Sequence, residues 1–217
     1  MLPAVVLISG EGSNLQAILD ANLREPVLDL RAVISSRVNA HGLARARAAG
    51  IPVHALPATP DMTRTQYDAE LAALIVPLQP ALLILAGFMR ILSAEFVAQF
   101  HGRLLNIHPS LLPKYPGLDT HRRALNAGET EHGCSVHFVT AAVDGGPVIA
   151  QARVPVLPGD SPQKLGARVQ TREHRLYPQI VNAFARGRVK LENDRVWWNG
   201  QPLLKPRVLA WNEDLIT

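Results

Sequence analysis

A chain of 217 residues that is 47% hydrophobic and 18% charged has the apolar mass for a sizeable buried core, which excludes disordered, low-complexity and fibrous classes. The net charge of +4, from 22 Lys and Arg against 18 Asp and Glu, favours anionic ligands without choosing among phosphorylated metabolites, polycarboxylates and nucleic acid. A single cysteine, Cys134, excludes an internal disulfide and any Cys-based structural zinc site, and fits a reducing compartment.

In chain order, Ala4 to Ser9 is an apolar, β-branched run read as a strand, Asn14 to Leu23 has apolar residues at helical spacing, and Arg31 to Ser35 is a second strand. His41 to Ala49 reads as a helix closed by Gly50, Pro52 to Leu56 as a strand, Thr65 to Val76 as a helix, and Ala81 to Ala86 as the fourth strand. Leu2 to Ile8 lacks the basic flank of a signal peptide. Leu71 to Met89 is uncharged and about long enough to cross a bilayer, but Pro77, Gln79 and Pro80 break it into a helix end and a buried strand. The expectation is a cytoplasmic protein with no membrane partner. Continuous apolar strands alternating with helices imply a parallel sheet covered on both faces.

A short helix at Ala94 to Phe100 and a fifth strand at Leu104 to His108 follow, then a proline-punctuated loop from Pro109 to Gly117. Ser135 to Val139 and Val148 to Val156 are strands joined by so short a connection that a hairpin replaces the helical crossover. A long helix, Ser161 to Arg186, and strands around Val189 and Val196 end the chain. The fold class is α/β and Rossmann-like: a mostly parallel central sheet with antiparallel additions in the C-terminal half, flanked by helices. The expectation is one domain over 1–217, with a phosphate-binding half over 1–100 and a catalytic half over 101–217.

Three constellations carry chemistry. Ser9-Gly10-Glu11-Gly12-Ser13-Asn14-Leu15 lies between the first strand and first helix, where glycines let backbone approach a ligand and the helix N-terminus binds an anion. Leu15 stands where a dinucleotide fingerprint needs its third glycine, so a single phosphate suits the loop better than NAD. The bland alternative is a strand-to-helix turn with Ser13 or Asn14 as N-cap. In Asn106-Ile107-His108-Pro109, residues two apart share a strand face, so an amide and an imidazole converge at the strand's C-terminal end. Such a pair supplies an oxyanion donor and a proton carrier, the two needs of acyl transfer. Asp144-Gly145-Gly146-Pro147 makes a tight turn by itself. A carboxylate there, beside His108, would favour imidazolium and raise the histidine's pKa.

Of the eight histidines, His108, His121, His132 and His137 are metal candidates, but their spacing disfavours zinc, and His137 reads as packed within its strand. Gln170 and Glu173, three apart on the late helix, share a face that could meet a ligand's amine and hydroxyls. A G-x-S-x-G elbow is absent and Cys134 has no positional support as a nucleophile.

LISGEGSNLQA, LAGFMRILS, GRLLNIHPSLLPKYPG, EHGCSVHFV, DGGPVIAQ and RVQTREHRLYP together resemble, in order and spacing, the folate-dependent formyltransferases, and within them the glycinamide ribonucleotide formyltransferase branch, from about Val5 to Tyr177. The resemblance implies transfer of the formyl group of 10-formyltetrahydrofolate, a co-substrate, to the amine of 5-phosphoribosylglycinamide in purine biosynthesis. It implies a tetrahedral intermediate, no metal and no covalent enzyme intermediate. The implied catalytic set is Asn106, His108 and Asp144. Gly12, Ser13 and Asn14 are similar to the family's phosphate loop, and Gln170 and Glu173 to the residues that hold ribose and glycinamide. Arg64, Met89, Arg90, Ile91 and Leu92, with Asn106 and the loop Thr140, Ala141, Ala142, Val143 and Asp144, are similar to its folate pocket.

Two positions depart from the pattern: Glu11, whose carboxylate would repel a phosphate unless it turns away, and Asp119, which replaces a histidine. The implied partners are small molecules, without nucleic acid or membrane, on a monomer or weak homodimer. Methionyl-tRNA formyltransferase and formyltetrahydrofolate hydrolase share the chemistry, but each needs an additional domain for which this length leaves no room. A non-catalytic nucleotide-binding module would leave Asn106, His108 and Asp144 with no reason to coexist.

Overall fold

The computed structural model describes residues 1–209 and residue 211, and the chain divides into two compact units, Met1–Asn106 and Ile107–Thr217.

The first unit runs β1 (Leu2–Ile8), α1 (Ser13–Arg24), β2 (Leu28–Ser35), α2 (His41–Ala48), β3 (Val53–Ala55), α3 (Arg64–Ile75), β4 (Leu82–Leu85), α4 (Ala94–Gln99) and β5 (Leu104–His108), whose last two residues open the second unit. All its pairings are parallel and give the order β5-β4-β1-β2-β3. The expected βαβ alternation is therefore realised, with boundaries within a few residues of the sequence reading. Ala4 to Ile8 are completely buried, as a central parallel strand requires, and each large side chain among them stabilises the fold by roughly 1.5–3 kcal/mol. At the start of α3 the Thr63 hydroxyl accepts from the Gln66 N–H while the Gln66 side chain returns to the Thr63 N–H, a reciprocal cap. The helix stops at Ile75, two residues before Pro77, and a single 3-10 turn, Val76–Leu78, leads out of it. Among the described residues no helix is long and apolar enough to cross a membrane.

The second unit holds α5 (Thr120–Asn126), β6 (Glu131–Phe138), β7 (Val148–Pro155), α6 (Pro162–Ala185), β8 (Val189–Glu192), β9 (Arg195–Trp198), β10 (Gln201–Pro202) and β11 (Arg207–Leu209). β6 and β7 form the expected antiparallel hairpin, with β11 parallel to β7 on its other side. α6 begins where the Ser161 hydroxyl accepts from the Lys164 N–H, with Pro162 at its first position. It buries Leu165, Val169, Leu176, Ile180 and Val181 against β6 and β7, the helical stripe that its length required. β8, β9 and β10 make a separate antiparallel sheet.

β6 begins at Glu131, four residues ahead of the expected Ser135, because ladder pairing continues through Glu131, His132 and Gly133 although that stretch is not apolar. The ladder also shifts register between Val136 and His137, and such an irregularity re-aims the side chain beyond it.

Candidate active site

In the first unit the chain leaves β1 toward β2 on one side, while β4 lies on the other. At that reversal of strand order open parallel sheets hold ligands, outside the carboxyl ends of the strands. Two loops meet the condition, the glycine loop after β1 and the segment after β4.

Gly12 ends the glycine loop with φ +71°, a left-handed conformation, and a Cβ placed on it would lie 2.6 Å from the Cα of Gly42. The Gly42 N–H donates to the Gly10 carbonyl at 3.1 Å, so loop and α2 meet backbone to backbone. Gly12 itself is the N-cap of α1, and no side chain caps the helix. The bland alternative, a turn capped by Ser13 or Asn14, is not what forms: both lie inside the first turn, and Asn14 is buried. A helix N-terminus without a side-chain cap carries a positive dipole end that favours an anion. Glu11 turns its carboxylate to the His41 Nδ1 at 2.9 Å, at the exposed start of α2. Arg45 donates from Nε to the Glu11 carbonyl at 2.9 Å.

After β4, the Met89 N–H donates to the Ser9 hydroxyl at 2.8 Å, and Ser9 also bonds Ser36 at 2.6 Å. One hydroxyl thereby ties the ends of three neighbouring strands. The Arg90 guanidinium sits 3.9 Å from the ring centre of Tyr67, and the Ser93 N–H donates to the Asp68 carboxylate at 2.5 Å. Burial pushes the Tyr67 hydroxyl up to about 12 against the opposing pull of Arg90. Phe88 and Leu92 are buried while Met89 and Ile91 are exposed, so the segment offers backbone groups and two apolar side chains. Arg64 is exposed at the first position of α3. Sequence reasoning missed Tyr67 and Asp68; the Thr63 cap that starts α3 was the available signal.

β5 carries Asn106, half-buried, and His108, buried, two apart and so on one face. The His108 Nε2 lies 2.9 Å from the Tyr115 carbonyl and its Nδ1 lies 3.2 Å from Oδ2 of Asp144. That oxygen also accepts from the Gly117 N–H at 2.8 Å, and Oδ1 is 3.7 Å from the Nε2 of His137. The tight turn lies one step earlier than the Asp-Gly-Gly run suggests: the Gly145 N–H donates to the Ala142 carbonyl at 3.1 Å, and Asp144, within the turn, presents its carboxylate. A Cβ on Gly146 would fall 1.8 Å from the Phe138 carbonyl oxygen, which only glycine permits, and Asp144 itself adopts φ +50°.

The contact expected between His108 and Asp144 is therefore present, but its electrostatic outcome differs. Burial pulls the His108 imidazole below its ordinary range; the Tyr115 carbonyl and Asp144 push it back only in part, and His137 and Arg123 oppose them. Burial alone would raise the Asp144 carboxyl, yet His137, the Gly117 N–H and His108 together hold it below its ordinary value. His137, expected merely to pack, faces Asp144 beyond the register shift of β6, with its Nδ1 on the Phe138 carbonyl at 2.8 Å. No sequence pattern announces that shift.

Around Tyr115 a second network forms. Its hydroxyl donates to Glu129 at 2.8 Å, as Lys114 does at 2.7 Å, and the His132 ring meets it edge-on. His121 and His132 share one hydrogen at 3.1 Å, and burial, reinforced by His121, lowers His132 to about 4. Asp119 is exposed, left-handed and paired with Arg122 at 3.0 Å. Thr140 is half-buried and Ala141, Ala142 and Val143 are exposed. On α6, Gln170 is exposed and Glu173 buried, so the expected shared face is not a uniformly solvated one. Burial drives the Cys134 thiol well up, with Glu173 adding to it, which leaves it inert as a nucleophile. Among the described residues no three His, Cys, Asp or Glu side chains gather as metal ligands would.

Residues 3–181 match the formyl transferase family. A phosphoribosylglycinamide formyltransferase of Escherichia coli (strain K12) is 56% identical over 200 residues, covering 92% of this chain and 94% of its own. That of Haemophilus influenzae is 41% identical over 206 residues, covering 94% and 97%. The solved phosphoribosylglycinamide formyltransferase of Coxiella burnetii, in complex with CHES, superposes with a TM-score of 0.91 at 50% identity, over 96% of this chain and 99% of that one.

Proposed function

The chain belongs to the formyl transferase family, and from that premise we propose that it transfers the formyl group of 10-formyltetrahydrofolate to the amine of 5-phosphoribosylglycinamide, a step of purine biosynthesis. The observation that carries the reading is the contact of buried His108 with half-buried Asp144 at 3.2 Å, with Asn106 two residues before His108 on the same strand face. The residues fit the donor: Met89 to Leu92 offer backbone groups beside the exposed apolar side chains of Met89 and Ile91, which suit a flat heteroaromatic ring, and Arg64 suits a carboxylate tail. Thr140 to Val143 are assigned to the same donor on their resemblance to the family's folate loop. Gly12, Ser13 and Asn14 would take the phosphate on N–H groups, and Gln170 and Glu173 the ribose and glycinamide end.

In this reading the substrate amine forms a bond to the formyl carbon while the carbonyl π pair moves to oxygen. Asn106 and His108 stabilise that oxyanion. Asp144 favours the protonated His108 and would order a water that carries the proton shed by the amine nitrogen to the departing folate nitrogen, as the oxyanion re-forms the carbonyl and the old C–N bond breaks. Atoms and charge balance without a metal or a covalent enzyme intermediate. The residues over 1–100 would serve chiefly phosphate binding and those over 101–217 catalysis and folate binding, in a cytoplasmic enzyme of small molecules, working as a monomer or weak homodimer.

The test follows tetrahydrofolate release from 10-formyltetrahydrofolate with and without phosphoribosylglycinamide. Release that depends on the amine, with formylated product in equal amount, is expected. Equal release without the amine would make the protein a hydrolase, and no release with both would remove the activity.

A further inference from the structure

In a trans peptide the carbonyl and the N–H of one plane point opposite ways, so whatever fixes the carbonyl also aims the N–H. In the glycine loop α2 fixes two successive planes, both of them trans. The Gly42 N–H donates to the Gly10 carbonyl at 3.1 Å, and the Arg45 Nε–H donates to the Glu11 carbonyl at 2.9 Å. Both carbonyls face α2, so the N–H groups of Glu11 and Gly12 face away from it. Among the described residues neither of these N–H groups has a hydrogen-bond partner. Successive donors that end on a left-handed residue, here Gly12 at φ +71°, make a concavity suited to an anion.

The two holds differ in kind. That of Gly42 runs main chain to main chain, whereas that of Arg45 is a side chain reaching across from α2. The guanidinium is braced in turn: its Nη1 donates to Oε1 of Gln16 at 3.3 Å. Gln16 lies in α1, with its own N–H on the Gly12 carbonyl at 2.9 Å and its Nε2 on Asp20 at 2.8 Å. A Cβ placed on Gly12 would stand 3.5 Å from Cδ of Arg45, so the arginine stem lies along the loop. The Glu11 carboxylate turns to His41 instead. A cation donating to a carbonyl polarises that peptide, and the N–H at its other end becomes a stronger donor.

We infer that Arg45 is a positioning residue of the glycine loop: through the Glu11 carbonyl it aims and strengthens the Gly12 N–H, which meets a phosphate on the side of the loop away from α2. Phosphoribosylglycinamide as the carrier of that phosphate rests on the proposed formyl transfer; the role of Arg45 toward a phosphate does not.

One arm of the experiment needs no turnover. Inorganic phosphate is titrated into 15N-labelled wild type and into Arg45→Met, which keeps the apolar stem and deletes the donor, and the Gly12 amide is followed at low and at high salt. In the wild type its proton is expected to move downfield and saturate; in Arg45→Met the phosphate Kd should rise about tenfold at both salt levels. An unmoved Gly12 amide in the wild type, or equal Kd values in the two proteins, overturns the inference. A rise in Kd that vanishes at high salt also overturns it, because Arg45 would then act as a distant charge and not through the peptide. A wild type that binds phosphate at Gly12 and transfers no formyl group sinks the proposed function and leaves the inference standing. In the kinetic arm, Arg45→Met should raise KM for phosphoribosylglycinamide about tenfold, with kcat and the folate KM within roughly twofold. Arg45→Lys, which keeps a cationic donor of similar reach, should recover most of that loss. A merely structural role would lower the unfolding midpoint of Arg45→Met with the phosphate Kd and this KM unchanged, and that result overturns the inference as well.

Discussion

Around the glycine loop the work falls to backbone: Gly12 and Gly42 touch with no side chain between them, the Gly42 N–H holds the Gly10 carbonyl, and the N-terminus of α1 has no side-chain cap. Around His108 it falls to side chains, with two buried imidazoles and a half-buried carboxylate in one chain of contacts. The first region is set by the exclusion of a Cβ and answers to sterics. The second is set by charge and answers to protons. On the proposed reading, a phosphate keeps its charge through the reaction, so fixed dipoles would suffice for it, whereas a migrating proton would need groups that titrate.

The sharpest way to break the comparison is to delete the titrating ring. His108→Ala is expected to cut kcat by roughly 10²–10⁴-fold with little change in KM for the phosphorylated substrate, measured by tetrahydrofolate release. A rise in KM of that size instead would mean that the two regions do not divide binding from chemistry. Gly12→Ala tests the other side. Its left-handed backbone and the 2.6 Å overlap with Gly42 should cost about 2 kcal/mol or more of stability in thermal unfolding, and raise that KM about tenfold with kcat nearly intact.

Protons also enter through stability. His132 is held at about 4 against 6.5, so its neutral form belongs to the folded state while the unfolded chain takes up a proton below 6.5. The contribution is complete above that pH and disappears as pH falls from 6.5 towards 4, by up to about 3 kcal/mol. Urea unfolding at a series of pH values should trace that decline, and His132→Asn should flatten it. The smallest effect belongs to Glu11. Because its carboxylate is exposed and turned to His41, Glu11→Gln should lower KM for the phosphorylated substrate by roughly threefold or less, and only at low salt. A larger drop would place a charged side chain in the backbone-built region.

The same contrast explains what could be read from residue order. Apolar periodicity located β1 to β5 and their helices, because buried parallel strands and amphipathic helices write their packing into local sequence. α5 escaped, since its seven residues bury only Thr120 and Ala124 and leave no stripe. β11 escaped because a three-residue strand is specified by its partner β7, far away in the chain. At the site, Asn106 and His108 were legible through their two-residue spacing, and Gly12 through its loop. The His108–Asp144 contact was a conjecture that only the fold could join, and His137 was hidden by a register shift. The direction of the His108 shift was misjudged for a further reason: residue identity reveals a neighbouring carboxylate but not how much water burial removes.

Gly12, Gly42 and Ile8 have a consequence for how this chain can vary. A Cβ on Gly12 would strike the Cα of Gly42, and a Cβ on Gly42 would lie 2.5 Å from Cδ1 of Ile8 and 3.2 Å from the Cα of Gly12. A smaller residue 8 would relieve the tightest of the contacts that meet a methyl group on Gly42, whereas a change at Gly12 meets main chain that no trimming relieves. The three positions therefore vary together: a change at residue 42 depends on what already stands at residue 8, and the left-handed turn at residue 12 holds glycine whatever the other two become.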